Sequence, residues 1–218
     1  MISFKIFLQY PIILFLFTAL PVFSQSDKTA QDILSGLSSK YKSLKSIKAN
    51  FTIVIENNDK SKQEQIGILS LKESKYNLQI AGQDIISDGK TRWTYVKDAN
   101  EIQIDNQKKD ENAITPSNIF TIYEKGWLSK YLGEKKIKNI TYQNIELVPL
   151  DAKTKNVFKV KLVIDKVQKM ITSAIIYDKN GSIQTITVSK FTPNGANDES
   201  IYIFNRAKYP GSEVVDLR

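Results

Sequence analysis

From Ala49 onward the chain alternates, and that constrains its fold more than any other feature. Phe51, Ile53 and Ile55 are interleaved with Asn50, Thr52 and Val54, and similar short runs follow almost to the C-terminus. Alternation with a period of two puts apolar side chains on one face of a strand. The spacing predicts eleven strands, over 51–55, 66–71, 76–80, 85–86, 92–95, 101–104, 145–149, 158–164, 171–177, 183–191 and 201–204. Turn signals such as Asp88-Gly89 and Asp178-Lys179-Asn180-Gly181 separate them. Short strands at such intervals read as an antiparallel meander.

Two segments break the pattern. Ala30, Ile33, Leu34, Leu37, Tyr41, Leu44 and Ile47 recur at spacings of three and four, which predicts an amphipathic helix over 29–46, opened by a Thr29–Asp32 capping box. Its lysines form a solvated face, and the stripe lacks the Trp and Phe of a membrane-surface helix. Later, a polar loop over 105–112 leads to Thr115-Pro116. Ile119, Phe120, Tyr123, Trp127, Leu128, Tyr131 and Leu132 then follow at helical spacing. Two short helices are expected there, broken at Gly126 and ended at Gly133.

The N-terminus reads as an export signal. Lys5 precedes the apolar run Ile12 to Leu20, and Val22-Phe23-Ser24 offers a cleavage site. Gln9, Pro11 and Pro21 keep the run short of a spanning helix. The expectation is a cleaved signal peptide over 1–24 and one soluble, periplasmic domain over 25–218.

Composition then excludes chemistry. Histidine and cysteine are both absent from the 218 residues. Without them there is no Ser-His-Asp or Cys-His nucleophile, no usual zinc site, no thiolate cluster, no disulfide and no lipid-bearing cysteine. The 178–181 turn resembles the start of a calcium loop, but Ser189 stands where an EF-hand needs an acid. A carboxylate pair alone could serve a glycosidase, yet nearly every acid falls in a loop or on a polar strand face. In Arg92-Trp93-Thr94-Tyr95, neighbouring residues point to opposite faces, which is poor geometry for nucleic acid. The expectation is no enzyme, no cofactor and no nucleic acid. The net charge of +8 favours anionic partners without choosing one.

What remains is the apolar face. Eleven strands are many for so little helix to cover, which points to an apolar cavity between sheet and helices. Strand parity and the helical insertion nominate Phe51, Ile53, Leu69, Leu71, Tyr76, Leu78, Trp93, Tyr95, Ile119, Phe120 and Leu162 as its lining.

The order of elements resembles the LolA family of periplasmic lipoprotein carriers. The resemblance lies in 30–51, 67–76, Thr115-Pro116, Leu147-Val148-Pro149 and Phe204. Its most specific stretch is Ser87-Asp88-Gly89-Lys90-Thr91-Arg92-Trp93-Thr94-Tyr95, similar to the family's SDG–x–x–x–W–x–Y hairpin. It implies a mainly β, α+β fold: an unclosed antiparallel half-barrel with a helical lid over a cavity for acyl chains. It implies a monomer that takes acylated lipoproteins from an inner-membrane ABC exporter of the LolCDE kind to an outer-membrane acceptor such as LolB. The family's Lys-Arg-Pro, whose arginine latches the lid, is Lys72-Glu73-Ser74 here, and Glu73 has no donor to offer. LolB shares the fold but carries a lipid-anchoring cysteine, so the carrier role fits this chain better. An envelope-stress sensor or binding module with the same half-barrel, similar to RseB, is the alternative.

Overall fold

The structure is a computed structural model that describes residues 27–107 and 118–218. The expected export signal and the helix start at Thr115-Pro116 lie outside the described residues. One helix, α1 (Lys28–Ser43), precedes the sheet. Six strands follow: β1 (Ile47–Glu56), β2 (Lys62–Lys72), β3 (Lys75–Ile80), β4 (Gln83–Ser87), β5 (Thr91–Val96) and β6 (Glu101–Asn106). A single 3-10 turn, Ile122–Glu124, leads to β7 (Trp127–Ile137), β8 (Ile140–Pro149), β9 (Val157–Asp165), β10 (Met170–Asp178) and β11 (Ile183–Pro193). Two further 3-10 turns, Glu199–Tyr202 and Arg206–Lys208, precede the last strand, β12 (Glu213–Asp216).

All twelve strands form one sheet in the order β12-β6-β5-β4-β3-β2-β1-β11-β10-β9-β8-β7. Its ladders are antiparallel except for β12, which runs parallel to β6. The two edges, β7 and β12, do not pair with each other among the described residues, so the curved sheet is an open half-barrel.

The count differs from eleven in three places. Residues 201–204 are not a strand, because Asp198 caps a 3-10 turn by accepting from Ser200 N. β12 was not expected at all, because four residues are too few to show a period. β7 replaces the second expected helix. Tyr123, Trp127 and Tyr131 are four apart, and a spacing of four satisfies a helical period and a period of two alike. Gly126, at φ +79°, ends the turn and releases the chain into the strand.

The helix also differs at both ends. Its N-cap is Asp27, whose carboxylate accepts from Thr29 N at 2.8 Å, so no Thr29–Asp32 box forms. Asp27 ties the helix to the sheet as well: its own N–H donates to Ser129 O at 2.8 Å, and its carboxylate accepts from Tyr131 N at 3.3 Å. Those contacts occupy polar groups of the edge strand β7. The helix stops at Ser43 because Leu44 is extended and Lys45 N donates to Asn194 Oδ1 at 2.8 Å, drawing the chain into β1. Ala30, Leu34, Leu37 and Tyr41 form the buried stripe, and they pack α1 on β7 and on the Ile122–Glu124 turn.

Candidate functional site: an apolar cavity in the half-barrel

Cross-strand partners share a face, so the ladders sort the side chains. On the concave side one row runs Phe191, Ala49, Leu69, Leu78, Ile85. A second runs Val188, Phe51, Gly67, Ile80. Beyond β11, Ile186, Ala174, Leu162 and Ile145 continue the same face. Above them, Ile119, Phe120 and Ile122 reach down from the segment that precedes β7. Between the two layers lies a cavity of ≈ 310 Å³.

Its walls are almost wholly hydrocarbon. Two polar side chains, Asp178 and Gln184, stand among the lining, and both lie at one end. Burial grades along the strands toward them. Ala49 is 2% and Ile171 6% exposed at the inner end, while Ile53, Asp178 and Gln184 are half-buried. The cavity therefore opens between the β1–β2 and β10–β11 hairpins. Asn58 Nδ2 joins those hairpins by donating to Asn180 O at 2.5 Å.

The inner end is closed by aromatic rings. Tyr41 of α1 meets Phe120 at 5.0 Å and Phe191 at 5.9 Å between centroids. Tyr41 Oη accepts from Ile171 N at 2.9 Å, which fixes the helix to β10. Burial pushes the Tyr41 phenol far above its usual range. The turn over the cavity is held to α1 through Glu124, whose carboxylate accepts from Ser38 Oγ and lies 2.9 Å from Lys42 Nζ. Trp127 Nε1 donates to Ile122 O at 2.9 Å and braces the same turn. Glu73 sits at φ +55° in the β2–β3 turn.

Backbone space also shapes the cavity. Gly67 stands opposite Phe51, and a Cβ there would come within 2.4 Å of the Phe51 ring. The missing side chain lets the ring lie back against the sheet and leaves the space in front of it open.

Seven of the eleven nominated residues line this cavity: Phe51, Ile53, Leu69, Leu78, Ile119, Phe120 and Leu162. Leu71 and Tyr76 share the concave face but are packed into the core beside it. There Tyr76 Oη donates to Gln107 Oε1 at 3.2 Å. Trp93 and Tyr95 lie on the opposite, convex face. Trp93 pairs with Ile86, which continues the outward row of Ser70 and Asn77. Its ring stacks on Phe204 at 5.5 Å, Phe204 stacks on Tyr209 at 5.5 Å, and Tyr209 meets Tyr95 at 4.5 Å. The alternation in β5 is real, but its polar members Arg92 and Thr94 face the concave side.

Not nominated from the sequence are Ala49, Ile80, Ile122, Val157 and Val160, the two polar rim residues, and the β10–β11 wall with Ile171, Ala174, Ile176, Ile186 and Val188. The signal was present, since both strands alternate. Parity alone did not say which half of each faces inward.

An open β half-barrel that keeps an apolar cavity under a short helical cover defines the class of fold. The chain belongs to the LolA family: the family model described as outer membrane lipoprotein carrier protein LolA matches residues 42–205. No curated protein matches the sequence. Among solved structures, an uncharacterized conserved protein from Thermus thermophilus is 12% identical with a TM-score of 0.57, over 87% of this chain and 99% of that one. A LolA superfamily protein from Nitrosomonas europaea is 15% identical with a TM-score of 0.44, over 80% and 97%. LprF from Mycobacterium bovis is 12% identical with a TM-score of 0.42, over 77% and 94%.

Proposed function

We propose that this protein is a periplasmic carrier that shields the acyl chains of lipoproteins in its cavity. It moves them from an inner-membrane ABC exporter of the LolCDE kind to an outer-membrane acceptor of the LolB kind. In this reading residues 1–24 direct export and are removed, and the carrier acts as a monomer without a cofactor. The observation that carries the reading is the ≈ 310 Å³ hydrocarbon-walled cavity, with its polar rim at one end, in a chain of the LolA family.

The physics of carriage fits that cavity. Each methylene kept from water is worth about 0.8 kcal/mol, so exposing a chain of roughly 16 carbons costs on the order of 10 kcal/mol. A shuttle must remove that cost in transit and still let the chain go. Contacts that are apolar and non-directional do both, because they stabilise any part of the chain equally and leave no polar lock to break. The volume lies at the lower end of the roughly 300–1,000 Å³ of small-molecule pockets.

A release assay tests the proposal. Residues 25–218 are added to spheroplasts that make a labelled lipoprotein and contain the cognate exporter. The expected result is labelled lipoprotein in the soluble fraction as a one-to-one complex with the added protein. Lipoprotein retained on the membrane, with the added protein folded, overturns the carrier reading.

A further inference from the structure

Building on the acyl-chain reading, we propose that the cavity selects chains whose first polar group donates a hydrogen bond, such as an amide N–H. It discriminates against free carboxylates, and Asp178 at the mouth makes that selection.

The cavity has a direction. Its inner end is shut by the Tyr41, Phe120 and Phe191 rings, and its polar rim is at the other. From Ile171 to Asp178 the wall follows β10, which rises about 3.3 Å per residue, so the slot is about 20 Å deep. One leaflet of a bilayer, half of a hydrocarbon core about 30 Å thick, holds an acyl chain in about 15 Å. A chain therefore enters tail first, and its head comes to rest beside Asp178 and Gln184. No other polar side chain lines the cavity among the described residues.

Those two groups present an acceptor. Gln184 Nε2 donates to Asp178 Oδ2 at 2.7 Å, and Ser182 Oγ donates to the same oxygen at 3.1 Å. Both contacts fall on one oxygen, Ser182 Oγ being shared with Asn180 Oδ1 at 2.8 Å, and among the described residues no hydrogen bond is made to the carboxylate's other oxygen. No cation pairs with Asp178 among the described residues. Lys179, its neighbour in the chain, gives its ammonium to the Ala152 carbonyl instead. A donor head finds a charged acceptor there, which makes a strong kind of hydrogen bond. A carboxylate head finds a like charge at contact distance, where even water-like screening leaves about 1 kcal/mol of repulsion and a half-buried rim leaves more. The protein's overall charge of +8 would by itself favour the carboxylate, so the local group opposes the global field.

The experiment is a displacement titration of N-phenyl-1-naphthylamine bound to residues 25–218. The competitors are dodecanamide and dodecanoate, which share a tail and differ in the head. The expected result is displacement by dodecanamide at a concentration at least about tenfold lower. In Asp178→Asn the gap closes, because dodecanoate gains. Equal displacement by both, a preference for dodecanoate, or a gap that Asp178→Asn leaves unchanged overturns the inference and spares the acyl-chain reading. Failure of both competitors to displace the probe removes the acyl-chain reading and the inference with it.

Discussion

The two halves of the sheet bury opposite faces. Followed across the ladders, the concave row Ala49, Leu69, Leu78, Ile85 continues as Thr94 and Gln103. The convex row Lys48, Ser70, Asn77 continues as Ile86, Trp93 and Ile104. Polarity changes sides between β3 and β5. Up to β3 the hydrocarbon faces inward and lines the cavity. From β5 to β6 the inner face is polar, with Arg92 paired to Asp105 at 2.6 Å, and the apolar residues face outward. There the C-terminal segment crosses and covers them. Ile102 of the sheet is 0% exposed beneath this strap, and Tyr202 of the strap itself is 1% exposed. It is anchored by Asn77 Nδ2 to Ile201 O at 2.8 Å, by Asn100 Nδ2 to Gly211 O at 3.1 Å and by Tyr202 Oη to Ala196 O at 2.7 Å. The sheet thus has a ligand side, left partly empty, and a structural side packed by its own chain. What decides the inside of a strand is the element that covers it.

The sharpest way to break this comparison is to strike each half in the same way. Leu78→Glu puts a carboxylate into the hydrocarbon wall, and loss of naphthylamine binding is expected with the secondary structure retained. Trp93→Ala removes the centre of the outer stack. A buried aromatic truncated to alanine costs about 3–5 kcal/mol, and for half-buried Trp93 about 2 kcal/mol of unfolding free energy is expected, with probe affinity unchanged. Denaturant melts and fluorescence titrations on both variants check the pair. If Trp93→Ala weakens binding as much as Leu78→Glu does, the two halves are one functional unit and the division is wrong.

This division also explains what could be read without coordinates. The half-barrel was legible because alternation and turn residues are local signals, and ten of the strands declare themselves that way. The mid-chain lining was legible for Phe51, Ile53, Leu69 and Leu78, where the covered face is also the more apolar one. For Trp93 and Tyr95 the pattern misleads, because an aromatic alternation looks the same whether a helix or a returning tail covers it. Their cover, Phe204 and Tyr209, lies more than a hundred residues away in the sequence. No local pattern in β5 refers to it.

Within the cavity half, the aromatic end wall offers a smaller test. Tyr41→Phe keeps the ring between Phe120 and Phe191 but leaves Ile171 N–H buried without its acceptor. An orphaned buried donor costs about 1–3 kcal/mol. A stability loss in that range is expected in a denaturant melt, with probe affinity changed less than twofold. A large loss of binding would instead place the Tyr41 hydroxyl in the ligand site.

Gly67 tests the cavity's shape with a smaller energy still. Its φ is not in the left-handed region, so alanine fits the backbone. The added Cβ must then push the Phe51 ring forward into the space a chain would occupy. Gly67→Ala is expected to leave the melting midpoint nearly unchanged and to favour shorter chains, so that tetradecanamide loses more displacing power than decanamide. An unchanged order of chain lengths would show that the ligand does not reach Phe51.

The smallest effect lies at the strap, and its sign follows from one carboxylate. Glu199 accepts from Lys72 and from Lys75, the latter at 2.9 Å, and ties the β2–β3 hairpin to the C-terminal segment. Those two hydrogen bonds, Lys72's first, lower its pKa from the ordinary 4.5 to about 2. A carboxylate with a depressed folded pKa contributes stability above its unfolded pKa and loses it as pH falls toward the folded value. The window is therefore pH 4.5 down to about 2. The group is half exposed, so screening keeps the effect small. Wild type and Glu199→Gln are expected to differ slightly in unfolding midpoint at pH 6 and to converge as pH falls through that window. Trp93 fluorescence is the reporter, because its ring stacks on Phe204 of the same strap. Parallel curves for the two proteins would show that the strap is held by its aromatic stack and its other hydrogen bonds without help from Glu199.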